Sequence, residues 1–209
     1  MLFLLLLVLA AYVIGSTPTG YVIARAKGVD IRQHGSGNIG ATNVFRILGK
    51  PWGIFVFVVD LAKGLLCTLG GLSAASRFPE HCPVSPVYAA IIAGIACILG
   101  HSFTFWLRFK GGKGVATALG VVFGLVPLAA AAGFVVWLIV TFTTRYVSLA
   151  SILGALCVPI VACFTTAPNQ RATLVIFSAV CAALIILRHI PNIKRLIAGT
   201  EHRFGTEKS

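Results

Sequence analysis

Residues 35–46, GSGNIGATNVFR, form a glycine-punctuated polar run between two segments that are almost wholly apolar. Gly35, Gly37 and Gly40 let the backbone turn tightly and approach a ligand with no Cβ in the way. From Asn38 onward the spacing predicts a helix. Asn38, Thr42 and Arg46 recur every four residues and would project from one face. Ser36 or Asn38 can cap its start, where unpaired N–H groups attract an anion. A capped turn between helices has the same composition, so the run needs support from the rest of the chain.

A second candidate is Lys110, Gly111, Gly112, Lys113 and Gly114, inside GHSFTFWLRFKGGKGVAT at 100–117. Glycines free backbone N–H groups to form an anion nest, two lysines supply charge, and a helix start can follow. The G-x4-G-K-[ST] spacing of a Walker A loop does not occur. A tight basic turn at a membrane exit looks alike, but beside the first run it points to two sites for phosphate-bearing groups. A third polar cluster, at 188–203, contains HIPNIKRLIAGTEHR, in which Pro191 ends one helix and suits the first turn of another.

Nucleophilic chemistry is harder to read. His34, His101 and His189 fall in or beside the three clusters, and Ser36 could be activated, but there is no G-x-S-x-G elbow. An H-x4-D acyltransferase pattern fails too, since Trp106 stands where His101 would need an aspartate. Acidic side chains are scarce, just Asp30, Asp60, Glu80, Glu201 and Glu207. Paired-carboxylate or Mg2+-carboxylate chemistry is therefore not expected, and the six cysteines, with no CxxC pair or nearby His cluster, do not point to a metal or a disulfide. A site poor in bases can work by positioning and electrostatic stabilisation, with a substrate phosphate helping to take the proton.

The elements that hold these residues are membrane spans. The chain has 209 residues, 58% hydrophobic and 11% charged, whereas a soluble domain carries about a quarter charged residues. We expect an all-α, polytopic integral membrane protein, a single domain over 1–209. Its net charge of +12 suits anionic lipid surfaces or anionic substrates, and positive-inside topology accounts for part of it. No nucleic-acid partner is expected.

About seven crossings are read, some short or broken. Residues 1–24 lack a positive side chain before the apolar run, so they are read as a permanent first span and not as a signal peptide. Ser16, Thr17, Pro18, Thr19 and Gly20 break it near its inner half. Further spans are read at 51–76, 87–107, 147–164 and 172–187, with APNQ at 167–170 as a turn. Residues 114–143 are either one long span or two short ones meeting near Pro127, and parity selects two. With seven crossings the N-terminus lies outside, and every basic residue but Arg77, Arg171 and the intramembrane Lys63 falls on the cytoplasmic side. Residues 114–126 rise only about 20 Å against roughly 30 Å of hydrocarbon, so this pair is short, and a re-entrant pair gives the same parity. All three polar clusters then share the cytoplasmic side.

Asp60 and Lys63, three apart on one helical face, are read as a mutually neutralising pair that locks helices. Of the six cysteines, five lie in apolar runs and only Cys82 is expected to reach a watery loop.

The three motifs, in this order and across essentially the whole chain, resemble the signature motifs of the bacterial acyl-phosphate:glycerol-3-phosphate acyltransferases, the PlsY family. The resemblance implies an acyltransferase of phospholipid biosynthesis in the bacterial plasma membrane, with its active site on the cytoplasmic side. It implies acyl phosphate and glycerol 3-phosphate as substrates, lysophosphatidate and phosphate as products, and membrane lipid as surroundings. Carried onto this chain, it implies a catalytic set of Ser36, Arg46, His189 and Asn192. Asn38 and Thr42 would join Ser36 and Arg46 around the reacting phosphates. Lys110, Gly111, Gly112, Lys113 and Gly114 would hold glycerol 3-phosphate, with Ser148 a further contact. Glu201 would hold local structure by pairing with a basic neighbour, and His101 a structural hydrogen bond. A small transporter for an anionic solute is the competing reading, since broken helices and intramembrane charges suit it as well.

Overall fold

A computed structural model describes residues 1–205. Among them all regular structure is helical. The chain divides into two compact units, Met1–Leu125 and Val126–Ser209, and each is described by itself.

The first unit opens with α1 (Leu2–Ser16) and α2 (Thr19–Ala26), one apolar run broken at Thr17 and Pro18. Proline cannot donate into a helix, and its ring clashes with the preceding turn, so the break falls where the sequence puts it. One turn of 3-10 helix at Ile31–Gln33 and α3 (Ala41–Leu48) follow. Then come the long α4 (Lys50–Arg77), α5 (Pro86–Ser102), a 3-10 turn at Phe105–Leu107, and α6 (Val115–Leu125). Small residues let these helices approach closely. A Cβ added to Gly15 would strike the Cys97 carbonyl of α5, and one on Gly64 the Thr117 carbonyl of α6.

The second unit holds α7 (Pro127–Thr144), α8 (Val147–Thr165), α9 (Pro168–Arg188) and the short α10 (Ile190–Ile197). Gly133 of α7 and Gly154 of α8 form its close contact.

Six helical stretches are long and apolar enough to cross a membrane, α1 and α2 counting as one, and α6 is a shorter apolar helix. That matches the expected pattern of about seven, including the division beside Pro127. Large apolar side chains such as Leu5, Leu6, Leu9 and Val13 are exposed along α1, as a hydrocarbon solvent requires.

Three local readings are corrected. The first motif's helix begins at Ala41, not Asn38, because Gly40 is its N-terminal boundary in extended conformation. APNQ is not a separate turn, since Pro168 already lies in the first turn of α9, where its missing N–H costs nothing. Cys82 is in the loop after α4 but is buried with Ala75 and Ala89 beside Phe3 and Leu7, whereas Cys163 on α8 is exposed.

Candidate active site

In the first unit, the loop between α2 and α4 and the loop between α5 and α6 emerge at the same end, since α4 and α5 form a hairpin between them. The first loop is organised by a residue that the sequence reading passed over. Asn43 is buried at 2% exposure. Its Nδ2 lies within hydrogen-bond reach of three carbonyl oxygens, Ile31 at 3.3 Å, His34 at 3.0 Å and Asn38 at 2.9 Å. Its Oδ1 accepts the Ser36 N–H at 3.0 Å and an Arg46 N–H at 3.4 Å. One side chain thus satisfies both ends of a loop that has no ladder of its own. Gly35 and Gly37 adopt positive φ of 58° and 67°, and a Cβ on Gly35 would collide with the Asn43 amide. The signal available in sequence was a polar amide in the apolar half of α3, seven residues after Ser36.

Ser36 is exposed, while Asn38, Thr42 and Arg46 are half-buried. Asn38 precedes α3 and does not share a helical face with Thr42 and Arg46. Its Oδ1 accepts the Gly40 N–H at 2.7 Å, fixing the approach to the helix instead of capping it.

The second loop folds back on α5. Gly111 N–H donates to the Ser102 carbonyl and Gly112 N–H to the His101 carbonyl, each at 3.1 Å. The expected nest is corrected here, because these two N–H groups are already committed. Glycine is required for proximity: a Cβ on Gly111 would strike the His101 carbonyl, and one on Gly112 the His101 ring. Arg108 and Phe109 both take positive φ, at 53° and 62°. Such backbone persists in non-glycine residues only when its surroundings hold it. Thr104 does so. Its carbonyl accepts the Phe109 N–H at 2.9 Å, and its hydroxyl donates to the Ser16 carbonyl at 2.6 Å. Lys110 is exposed and Lys113 half-buried.

Below this end lies an ion pair. Lys63 Nζ is 2.8 Å from Asp60 Oδ1, 2.9 Å from His101 Nδ1 and 3.2 Å from the Thr17 carbonyl. Thr19 donates its hydroxyl to Asp60 at 3.2 Å. The group ties α4 to the break between α1 and α2 and to the end of α5.

In the second unit, Glu201 gathers the third cluster. It accepts from Ser148 Oγ at 3.0 Å, Asn192 Nδ2 at 2.6 Å and Arg195 Nε at 2.7 Å. Burial works to raise its carboxyl pKa, but the hydrogen bonds from Asn192, Arg195 and Ser148 outweigh it, and the net direction is down. His189 is buried, and its Nδ1 faces the Ile185 carbonyl at 2.8 Å. In a neutral ring that contact places the proton on Nδ1 and the lone pair on Nε2.

Acidic groups elsewhere are engaged too, Asp30 with Arg32 at 2.7 Å and Glu80 with His81 at 3.7 Å. The Arg32 hydrogen bond lowers the Asp30 pKa to about 2. Glu207 lies outside the described residues. No three His, Cys, Asp or Glu side chains converge among the described residues as metal ligands would.

A family model described as glycerol-3-phosphate acyltransferase matches residues 5–199. A glycerol-3-phosphate acyltransferase from Geobacter sulfurreducens is 46% identical over 200 residues, which cover 96% of this chain and 97% of the relative. One from Aquifex aeolicus is 44% identical, covering 96% and 98%. Among solved structures, the glycerol 3-phosphate form of PlsY (YgiH), an integral membrane glycerol 3-phosphate acyltransferase, superposes with a TM-score of 0.85 at 45% identity, over 97% of this chain and 96% of that one. The lysophosphatidic acid form of PlsY gives a TM-score of 0.82 at 44% identity, with the same coverage.

Proposed function

This chain belongs to the glycerol-3-phosphate acyltransferase family, the PlsY family, and from that premise we propose that its acyl donor is acyl phosphate. The 1-hydroxyl oxygen of glycerol 3-phosphate attacks the acyl carbonyl carbon. The bond from that carbon to the phosphate oxygen breaks, and phosphate leaves with the electron pair. The hydroxyl proton passes to a phosphate oxygen, so that no dedicated base is needed. The products are lysophosphatidate and inorganic phosphate. We take the whole chain as one acyltransferase domain.

The observation that carries this reading is the pair of loops at one end of the first unit, one braced by Asn43 and the other folded against His101. Ser36, Asn38, Thr42 and Arg46 then surround the reacting phosphates. Lys110 and Lys113 hold glycerol 3-phosphate, with Lys113 meeting most of its charge, and Gly111, Gly112 and Gly114 let their loop lie close against α5. From the third motif, His189 and Asn192 also serve the transfer, and Ser148 makes a further substrate contact. Glu201 orients Ser148 and Asn192. The acyl chain partitions into lipid while both phosphates stay at the polar edge, where they avoid desolvation in hydrocarbon. We place that edge on the cytoplasmic face of the bacterial plasma membrane, with the N-terminus outside, from the distribution of basic residues.

Transport of an anionic solute is less well supported. The carbonyls freed at the α1–α2 break are taken by Lys63 and Thr104, not left open to line a path.

Phosphate release from a synthetic acyl phosphate, with and without glycerol 3-phosphate, tests the reaction. We expect release that needs glycerol 3-phosphate and matches lysophosphatidate formation, with EDTA without effect. In Lys113→Ala the KM for glycerol 3-phosphate should rise by about tenfold or more, the scale of one lost charge-assisted contact. A fall in kcat of about a hundredfold in His189→Gln with binding intact would instead assign the proton to the imidazole.

A further inference from the structure

We infer that His101 is a positioning residue for the second loop, its ring proton fixed on Nε2 by Lys63 and turned toward Gly112. The argument begins with the lysine. An ammonium has three N–H groups and no lone pair. Lys63 has three acceptors in reach, Asp60 Oδ1 at 2.8 Å, the Thr17 carbonyl at 3.2 Å and His101 Nδ1 at 2.9 Å. Asp60 Oδ1 is 3.8 Å from the same nitrogen, beyond hydrogen-bond distance, so His101 Nδ1 accepts from the ammonium and the neutral ring carries its proton on Nε2.

That nitrogen faces the loop. A Cβ on Gly112 would fall on His101 Nε2, with Cε1 and Cδ2 next nearest, and one on Gly114 would sit 4.0 Å from Cδ2. The same residue grips the loop through its main chain, because its carbonyl takes the Gly112 N–H at 3.1 Å. The ring is thus a floor under Gly112, one residue before Lys113. Its own placement is set from inside the membrane by Lys63, which Asp60 neutralises. The pair at the middle of α4 reaches the loop through one imidazole. A buried histidine that merely satisfies the core would have no reason to stand between an ion pair and a phosphate loop.

This inference rests on the glycerol 3-phosphate reading of the second loop, and the experiment separates the two. Glutamine places an amide near the Nε2 position of histidine, and asparagine one near Nδ1. His101→Gln should keep the KM for glycerol 3-phosphate within about twofold of wild type. His101→Asn should raise it about tenfold, because the Nε2 position beneath Gly112 is then empty and the loop can shift, with the KM for acyl phosphate unchanged. Equal KM values in both variants, or a fall in kcat with KM unchanged, would overturn the proposal. A second readout is the ring itself. In wild-type protein with 15N-histidine, five residues contribute, and the difference from His101→Gln isolates the one in question. A neutral ring protonated at Nε2 is expected, and one protonated at Nδ1, or an imidazolium, overturns the proposal. Should wild-type protein fail to turn over glycerol 3-phosphate, the enzymatic reading fails, and the ring signature alone decides the arrangement of His101.

Discussion

Asn43 holds the first loop through both ends of one amide, so its chemistry makes a sharp prediction. In Asn43→Ala the Asn38 carbonyl and the Ser36 N–H lose the amide that pairs them, while the Ile31 and His34 carbonyls keep only the His34 and Gly37 N–H groups of their own turns. Leaving buried polar groups unsatisfied costs about 1–3 kcal/mol each, so a loss of roughly 3 kcal/mol or more is expected. Asn43→Asp keeps the acceptor for Ser36 but turns a carboxylate toward three carbonyl oxygens. It should be the less stable of the two variants, and both should lose acyltransferase activity. Thermal unfolding in detergent with parallel assays checks the order, and an Asn43→Asp protein as stable as wild type would refute the role. The motif was legible in sequence, but its internal support was not. Spacing picked out Asn38, Thr42 and Arg46 by helical phase, whereas Asn43 acts on carbonyls up to twelve residues away that phase cannot reveal.

At the scale of elements, the close packing of α4 and α6 depends on glycine at two places. A Cβ on Gly64 would strike the Thr117 carbonyl, and one on Gly120 the Leu61 carbonyl, while nothing lies near Gly70 on the same α4. Gly64→Ala and Gly120→Ala should each destabilise by about 1–3 kcal/mol through overpacking. Gly70→Ala should be neutral or stabilising by up to about 1 kcal/mol, because alanine is the better helix former. Comparing the three melting temperatures tests this directly. The third cluster gives a pH prediction. The folded pKa of Glu201 is lowered below its ordinary 4.5, so its contribution is fully present above that value. It is lost as pH falls through the lowered folded value, and with it the tie of α10 to Ser148. Hydrogen exchange in α10 should therefore accelerate below pH 4.5 in wild type but show no such step in Glu201→Gln. The helices themselves were legible from apolar runs and proline. The start of α3 was missed by three residues, because Asn38 and Gly40 serve a turn before it.

For the whole molecule, the depth of the α6–α7 division is the remaining geometric question, and packing within the first unit bears on it. Gly120 meets Leu61 and Leu65, and Gly124 meets Leu65 and Thr68, so α6 runs parallel to α4, as the successive reversals into and out of α5 require. Both helices therefore leave the same end, yet α6 ends at Leu125 beside Thr68, while α4 continues to Arg77. At 1.5 Å per residue that leaves α6 roughly 13 Å short of the far end of α4. Sequence length indicated a short pair but could not say which half was short, because hydropathy does not report the neighbour against which a helix stops. We therefore expect the chain to turn into α7 before it reaches the far side of the hydrocarbon. Leu128, in the first turn of α7, is 67% exposed, so its reactivity reports depth and not burial. In a variant free of the native cysteines, Leu128→Cys should resist a membrane-impermeant maleimide from either side of intact cells or inverted vesicles, yet react with a lipid-soluble one. Glu80→Cys, in the loop after α4, should react from outside, and Lys110→Cys only from the cytoplasmic side. Labelling of Leu128→Cys from outside would mean that α6 and α7 meet at the outer face as full spans. Labelling of Lys110→Cys from outside would invert the orientation and move the phosphate loops away from the compartment where soluble glycerol 3-phosphate must reach them.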